Sequence, residues 1–229
     1  MHLSMSSELA AQKTPVAKEA IIKALYDAWT HLFNQTPKKE SIWVLASQVA
    51  LETGWCASMW NFNLGNVKSR EGDGHDYCYF ACNEILKKAV ADSYAAKDPA
   101  TAKVSKYRDD GTAIIWFYPK HPGCRFRAFN SLLDGCIDYI GLLNKRFTNS
   151  WPAVIAGDPA QFSHMLRTQG YYTADEISYT KTLVSVFGTI SRLNVDYSTP
   201  HDDTLSDEDN NRILNLVALT MSQSLDENS

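Results

Sequence analysis

At 229 residues, 45% hydrophobic and 21% charged, the chain is long and apolar enough to bury a sizeable core as one domain with at most a small appendage, which excludes disorder over most of its length. The net charge of −4 conceals an asymmetry: residues 196–229 hold eight acids against the single base Arg212, about −7, whereas residues 1–195 hold 18 acids and 21 bases, about +3. No Lys/Arg run marks a nucleic-acid footprint, and no apolar run approaches the ~20 residues that span a bilayer.

In residues 1–20, Glu8, Lys13, Lys18 and Glu19 interrupt every hydrophobic run, so no secretory signal is expected and the product is expected to be soluble and made in the cytoplasm. From Val16 to Phe33 the apolar positions Ile21, Ile22, Leu25, Ala28, Trp29, Leu32 and Phe33 recur at three-to-four spacing and predict an amphipathic helix. Thr36 and Pro37 read as the N-cap and first position of a second helix carrying Ile42, Trp43, Leu45 and Val49 and ending at Gly54. From Asn61 to Arg127 glycines punctuate short β-rich runs, Tyr77–Phe80 and Ala113–Tyr118, which predict a β-lobe. The stretch Ala89–Lys106, polar and rich in alanine, reads as a short helix or an ordered insertion within it.

Helical patterning resumes after the Pro119–Pro122 turn, with Ser131 as a cap and Leu132, Leu133, Cys136, Tyr139, Ile140 and Leu143 on one face. Further helices are expected around Phe162–Arg167, opened by Pro159, and over Ile177–Leu193, with Gly170 as the break between them. The expected division is a domain over 1–195 and an acidic linker with a C-terminal amphipathic helix over 196–229, where Ser206 and Asp209 form a capping pair ahead of Ile213, Leu216, Val217 and Thr220.

Five cysteines, Cys56, Cys78, Cys82, Cys124 and Cys136, are an odd set and read as reduced thiols. His75, Cys78, Cys82, His121 and Cys124 have a spacing reminiscent of zinc ligands but lack the tight pairs of such sites, so no metal is expected. The histidines support no Ser/His/Asp or Cys/His constellation, and H-E-x-x-H, Walker and Rossmann patterns are missing. Amidase, metalloprotease, nucleotidase and dehydrogenase chemistry therefore have no anchor.

The segment Ala50-Leu51-Glu52-Thr53-Gly54-Trp55 places a carboxyl in the last helical turn on the side of Leu45, Gln48 and Val49, which is the core-facing side. Desolvation there raises a carboxyl pKa, the property a general acid needs to hold a proton near neutrality. A solvated residue of the last turn is the bland alternative for a lone Glu. The run Trp60-Asn61-Phe62-Asn63-Leu64-Gly65-Asn66-Val67-Lys68 weighs against it, because aromatic faces and side-chain amides are what pyranose rings and acetamido groups require.

These segments resemble glycoside hydrolase family 73, the bacterial cell-wall glucosaminidases of the lysozyme-like superfamily. Ala50–Trp55 is similar to the family's A-L-E-[ST]-G-W segment with its catalytic acid, and Asn61–Lys68 to the N-x-[NF]-[LI]-[FG]-N-[IV]-K block. Phe126-Arg127-Ala128-Phe129 with Asp138-Tyr139, and Gly170-Tyr171-Tyr172-Thr173 with Tyr179, resemble the remaining motifs, so that the likeness spans about residues 16–193. Two departures are Cys56, where the family generally has Gly, and the long insertion from about Lys87 to Asp110.

The resemblance implies a mainly α (α+β) lysozyme-like fold with a glycan groove between a helical lobe and a small β-lobe. It implies cleavage of the β-1,4 bond between N-acetylglucosamine and N-acetylmuramic acid, with Glu52 as general acid and no metal or organic cofactor. A second carboxylate serves such chemistry as nucleophile or base. Glu84, expected at the end of the Tyr77–Cys82 strand, looks like the family's β-lobe acid, in competition with Asp73, Asp76, Asp109 and Asp110. Without one, the substrate's acetamido group assists.

The resemblance implies that one or more of Tyr171, Tyr172 and Tyr179 line the cleft and hydrogen-bond the sugar or the acid, with Tyr179 as the one given a functional role and core packing as the alternative. Trp60, Phe62 and Asn63 are expected sugar contacts, Trp29, Trp43 and Trp151 core residues, and Trp116 is undecided. Two rivals remain: a muramidase or lytic transglycosylase of the same superfamily, and a non-catalytic wall-binding or phage structural protein. The implied partner is the peptidoglycan strand, met in the periplasm or outside the cell. A phage lysin, a virion component and an exported effector all fit, the last with an immunity protein and a carrier for the acidic tail.

Overall fold

A computed structural model describes residues 6–172 and 174–198; the expected C-terminal helix and Thr173 lie outside the described residues. In chain order the elements are α1 (Lys18–Phe33), α2 (Lys39–Thr53), β1 (Tyr77–Tyr79), β2 (Cys82–Lys87), α3 (Lys88–Lys97), β3 (Ala102–Tyr107), β4 (Thr112–Phe117), β5 (Arg125–Arg127), α4 (Leu132–Arg146), α5 (Trp151–Ala156), α6 (Pro159–Thr168) and α7 (Glu176–Ile190). The fold is α+β and mainly helical. The described residues form two compact units: a β unit built from 6–12 and Asn66–Phe129, and a helical unit built from Lys13–Gly65 and the described residues of 130–198.

In the helical unit α1 buries the stripe Ile21, Ile22, Leu25, Ala28 and Trp29, and it packs on α2 and α4. Trp29 stacks on Trp151 with ring centroids 5.2 Å apart, while Trp43 and Trp151 are half-buried against the core. The second helix differs in kind. Every residue from Val44 to Ala50 is buried, which covers the whole circumference rather than one stripe, and α1, α5 and α7 surround it.

That central helix starts at Lys39, two residues later than the Thr36–Pro37 pattern predicts. Pro37 is buried and Lys38 is still extended at ψ 144, so the proline's fixed φ serves an extended approach instead of the first helical turn. The other end matches the expectation: Gly54 caps it in the left-handed region at φ 57, and its amide donates to the Ala50 carbonyl. Thr53 donates to the Val49 carbonyl and accepts from the Cys56 amide at 2.9 Å, fixing the turn that follows.

The β unit holds a two-stranded sheet, β1 with β5, and a three-stranded sheet in the order β2-β4-β3, all antiparallel. On β4 the buried side chains alternate, Ala113, Ile115 and Phe117, as expected of a half-buried strand. The expected continuous strand Tyr77–Cys82 is corrected: Phe80 leaves the ladder to stack on Phe126 at 4.1 Å, and Cys82 begins β2 in the other sheet. Glu84 consequently sits inside β2 opposite Ile115, not at a strand end. The Ala89–Lys106 stretch resolves into α3, which buries only Ala91, and most of β3.

All five cysteines are free thiols, and burial pushes Cys56, Cys78 and Cys124 up to about 11. Among the described residues no group of three or more His, Cys, Asp or Glu is arranged to hold a metal. No helix among them is long and apolar enough to cross a membrane.

Candidate active site

Glu52 lies half-buried in the last turn of α2, on the same face as Gln48 one turn earlier. Two local effects act on its carboxyl. Burial pushes its pKa above the usual carboxylate value, and the hydrogen bond from Tyr179 pulls it back in part. The position at a helix C-terminus, where backbone carbonyls point outward, adds further disfavour to a negative charge.

The partner comes from α7. Asp175 caps that helix by accepting from the Ser178 amide at 2.9 Å, and Tyr179 one turn in donates its hydroxyl to Glu52 Oε1 across 3.4 Å. This is a long bond that leaves the carboxyl room to move its proton elsewhere. Tyr172 stacks face to face on Tyr179, centroids 3.9 Å apart, and is itself held by Ser163 Oγ at 3.0 Å and by the Arg167 guanidinium on its carbonyl at 3.1 Å. Tyr171 packs edge-on to Phe147 at 5.0 Å.

Burial, and then the nearby Glu52 charge, push the Tyr179 phenol well up. The phenols of Tyr171 and Tyr139 are raised for the same first reason. The acid is therefore surrounded by neutral hydroxyl groups that accept or donate hydrogen bonds without changing charge across the physiological range. Tyr139 donates to Gln48 Oε1, and Gln48 Nε2 is buried without a hydrogen-bond partner among the described residues. Sequence reasoning assigned neither Gln48 nor Tyr139 a role at the acid; the four-residue spacing between Gln48 and Glu52 was the available signal.

The loop after α2 is tightly formed. Gly54, Trp55 and Cys56 are consecutive left-handed residues, and Asn61 and Phe62 follow at φ 43 and 52. Phe62 donates its amide to Thr14 Oγ1 at 2.8 Å, and its carbonyl rests so close to Gly135 of α4 that a Cβ there would lie 2.1 Å from it. Trp60 and Phe62 keep part of their rings accessible, with the Lys13 ammonium 5.8 Å from the Trp60 ring centroid. Asn63 is 2% exposed and braces the loop from inside rather than facing solvent.

The second candidate carboxylate belongs to the β unit, where Glu84 pairs with the Lys68 ammonium at 3.2 Å and lines a cavity of about 1030 Å³. Its competitors are differently engaged. Partial burial raises Asp73, but the amides of Arg70 and His75 and the charges of His75 and Arg127 outweigh it and lower the carboxyl overall. Thr112 holds Asp110 low by two hydrogen bonds, and Asp76 accepts from the Ser7 amide at 2.8 Å. Trp116 stacks on Tyr118 within the same unit.

The structure thus joins Glu52, Tyr179 and Tyr172 into one contact network with Tyr171 electrostatically coupled to it, and sets Glu84 on its own sheet. Chemically, the network can hold a proton on a carboxyl and deliver it to a bound oxygen. No family model and no curated protein matches the chain. Among solved structures it is similar to the catalytic domain of the autolysin Auto from Listeria monocytogenes, with 15% sequence identity over 79% of this chain and 88% of that domain and a TM-score of 0.43.

Proposed function

We propose that the chain is a peptidoglycan hydrolase that cuts the β-1,4 bond between N-acetylglucosamine and N-acetylmuramic acid by general acid catalysis. The observation that carries this reading is the Glu52 carboxyl, half-buried, raised in pKa and held by the Tyr179 hydroxyl. The motifs around both residues, which resemble those of family 73, support it independently. In the first step Glu52 gives its proton to the glycosidic oxygen as the bond to the anomeric carbon breaks, leaving an oxocarbenium-like sugar. Tyr179 then stabilises the carboxylate that forms.

Glu84 acts as the second carboxylate, either attacking the anomeric carbon or activating the water that does. The Lys68 ammonium, 3.2 Å away, fixes the orientation of its carboxyl. Trp60 and Phe62, with Tyr171, contribute sugar contacts, whereas Tyr172, 9% exposed, takes the core-packing role and braces Tyr179 from behind. The site of action is the wall, in the periplasm or outside the cell.

The decisive comparison is wild type against Glu52→Gln and Glu84→Gln on purified peptidoglycan, with released fragments identified by mass and reducing end. Each variant is expected to lose at least ~100-fold in rate, the lower end for removing an acid-base group. Free N-acetylglucosamine reducing ends support a glucosaminidase; muramic ends or anhydro ends would make the chain a muramidase or a lytic transglycosylase instead. Unchanged digestion by Glu52→Gln refutes the mechanism.

A further inference from the structure

The cavity of the β unit has a chemistry of its own. Its walls include the cations Lys68, Arg70, Lys97 and Arg125 against the acids Glu71, Glu84 and Asp98, with the rings of Tyr77, Tyr79 and Phe117 among them. Lys68 is already engaged by Glu84. Arg125 is different: it is 8% exposed, makes no ion pair among the described residues, and its Nη1 has no hydrogen-bond partner there.

Its position is fixed rather than incidental. Arg125 opens β5 in register with Tyr79, its carbonyl accepts the Ser69 amide at 3.0 Å, and its guanidinium carbon lies 3.6 Å from the Tyr77 ring centroid. Stacking of this kind orients the planar fork while leaving its in-plane N–H groups to bond elsewhere. A buried guanidinium with an unmatched donor is costly, and an anion reaching the cavity wall offsets that cost with a charge-assisted, fork-shaped bond. At about 1030 Å³ the cavity exceeds what one small ion fills and suits a ligand of saccharide or short-peptide size, with tyrosine faces for its apolar side.

We propose that this cavity is a carboxylate-recognising subsite in which Arg125 reads the acidic group of peptidoglycan, either the lactyl carboxylate of N-acetylmuramic acid or a carboxylate of the stem peptide. The proposal rests on the wall-hydrolase reading for the identity of the ligand, and it adds the residue that would tell acidic from neutral sugars. Recognition falls on Arg125, a specificity residue, and not on the acid that transfers the proton.

The test titrates the full-length protein with N-acetylmuramic acid, alanyl-D-glutamate, the methyl ester of each, and N-acetylglucosamine, following binding by calorimetry. At least one acid should bind about 10-fold or more tighter than the uncharged sugars, and Arg125→Lys should lose about 10-fold or more of that affinity, since a charge-assisted bond of this kind is worth such a factor. Whichever acid binds names the source of the carboxylate. For whichever acid binds, a methyl ester of it that binds as well overturns the proposal, as do no binding of either acid and full affinity in Arg125→Lys. If Arg125→Lys fails to fold, the acid-against-ester comparison on wild type decides alone. Wall digestion with no acid preference sinks only this subsite, whereas acid binding without wall digestion sinks the hydrolase reading.

Discussion

In the helical unit many of the buried side chains are long, among them Ile22, Leu25, Ile42, Leu45, Met59, Leu64 and Leu143, and they meet around a helix buried on all sides from Val44 to Ala50. In the β unit the core is made largely of short ones, Cys78, Ala91, Ala102, Ala113, Cys124 and Ala128, with Ile115, Phe117 and Phe126 as the bulky members. Buried apolar area is the main stabilising term, roughly 1.5–3 kcal/mol for each large side chain fully covered. The contrast teaches where each unit can spare material. The helical unit holds its acid against rigid packing, and the β unit leaves a cavity open beside a thin core.

The largest effects should come from cutting those cores. Leu45→Ala and Ile115→Ala each remove a fully buried side chain, and each should cost about 2–5 kcal/mol. Hydrogen exchange read segment by segment sharpens the comparison: Ile115→Ala should speed exchange across β2, β3 and β4 far more than in α2, and Leu45→Ala the reverse. Equal acceleration of both regions by either variant would break it.

Next in size is Gly135→Ala, whose new Cβ would meet the Phe62 carbonyl at 2.1 Å. Loop and helix must part, at a cost of about 1–3 kcal/mol. Since the same loop carries Trp60 and Phe62, binding of chitooligosaccharide should weaken along with the melting temperature. Unaltered melting would mean that the loop yields freely.

A smaller effect separates charge from packing. Because the folded state raises the Glu52 pKa above the ordinary carboxyl value of 4.5, the folded protein holds that proton more tightly than the unfolded chain does. Wild type therefore loses stability as pH rises from about 4.5 through the raised value, and Glu52→Gln does not. The variant should melt on the order of a few °C higher at pH 7, with the gap closing below pH 4.5. A gap that is the same at both pH values would contradict the burial argument.

The smallest change expected is Cys56→Gly. Cys56 sits at φ 67, a region that costs a side chain roughly 1–2 kcal/mol and costs glycine almost nothing. Loss of a buried thiol contact works in the other direction. The melting temperature should move by no more than about 2–4 °C, the equivalent of ~1 kcal/mol for a chain of this size.

The helical unit was largely legible in the sequence because its apolar residues recur at helical spacing, and Gly54, Ser131 and Pro159 mark ends that the structure keeps. The β unit was legible only at β4, where alternation is clean. On β3 only Ala102 is buried and on α3 only Ala91, so neither element leaves a periodic trace, and β2 was merged with β1 because nothing in the local sequence announces that Phe80 departs to meet Phe126. At the candidate site, the resemblance singled out Glu52 and Tyr179 separately, and the structure brings their side chains within 3.4 Å. The burial of Asn63 and the pairing of Tyr139 with Gln48 depend on long-range packing that no short pattern encodes.

The second helix, buried all round from Val44 to Ala50 and carrying Glu52 in its last turn, has a consequence for ageing and heat. Its buried middle should open only with the helical unit as a whole, so the acid one turn beyond it should have no private route to disorder. Inactivation on warming and melting of that unit should be one event, with no warm, folded, inert form in between.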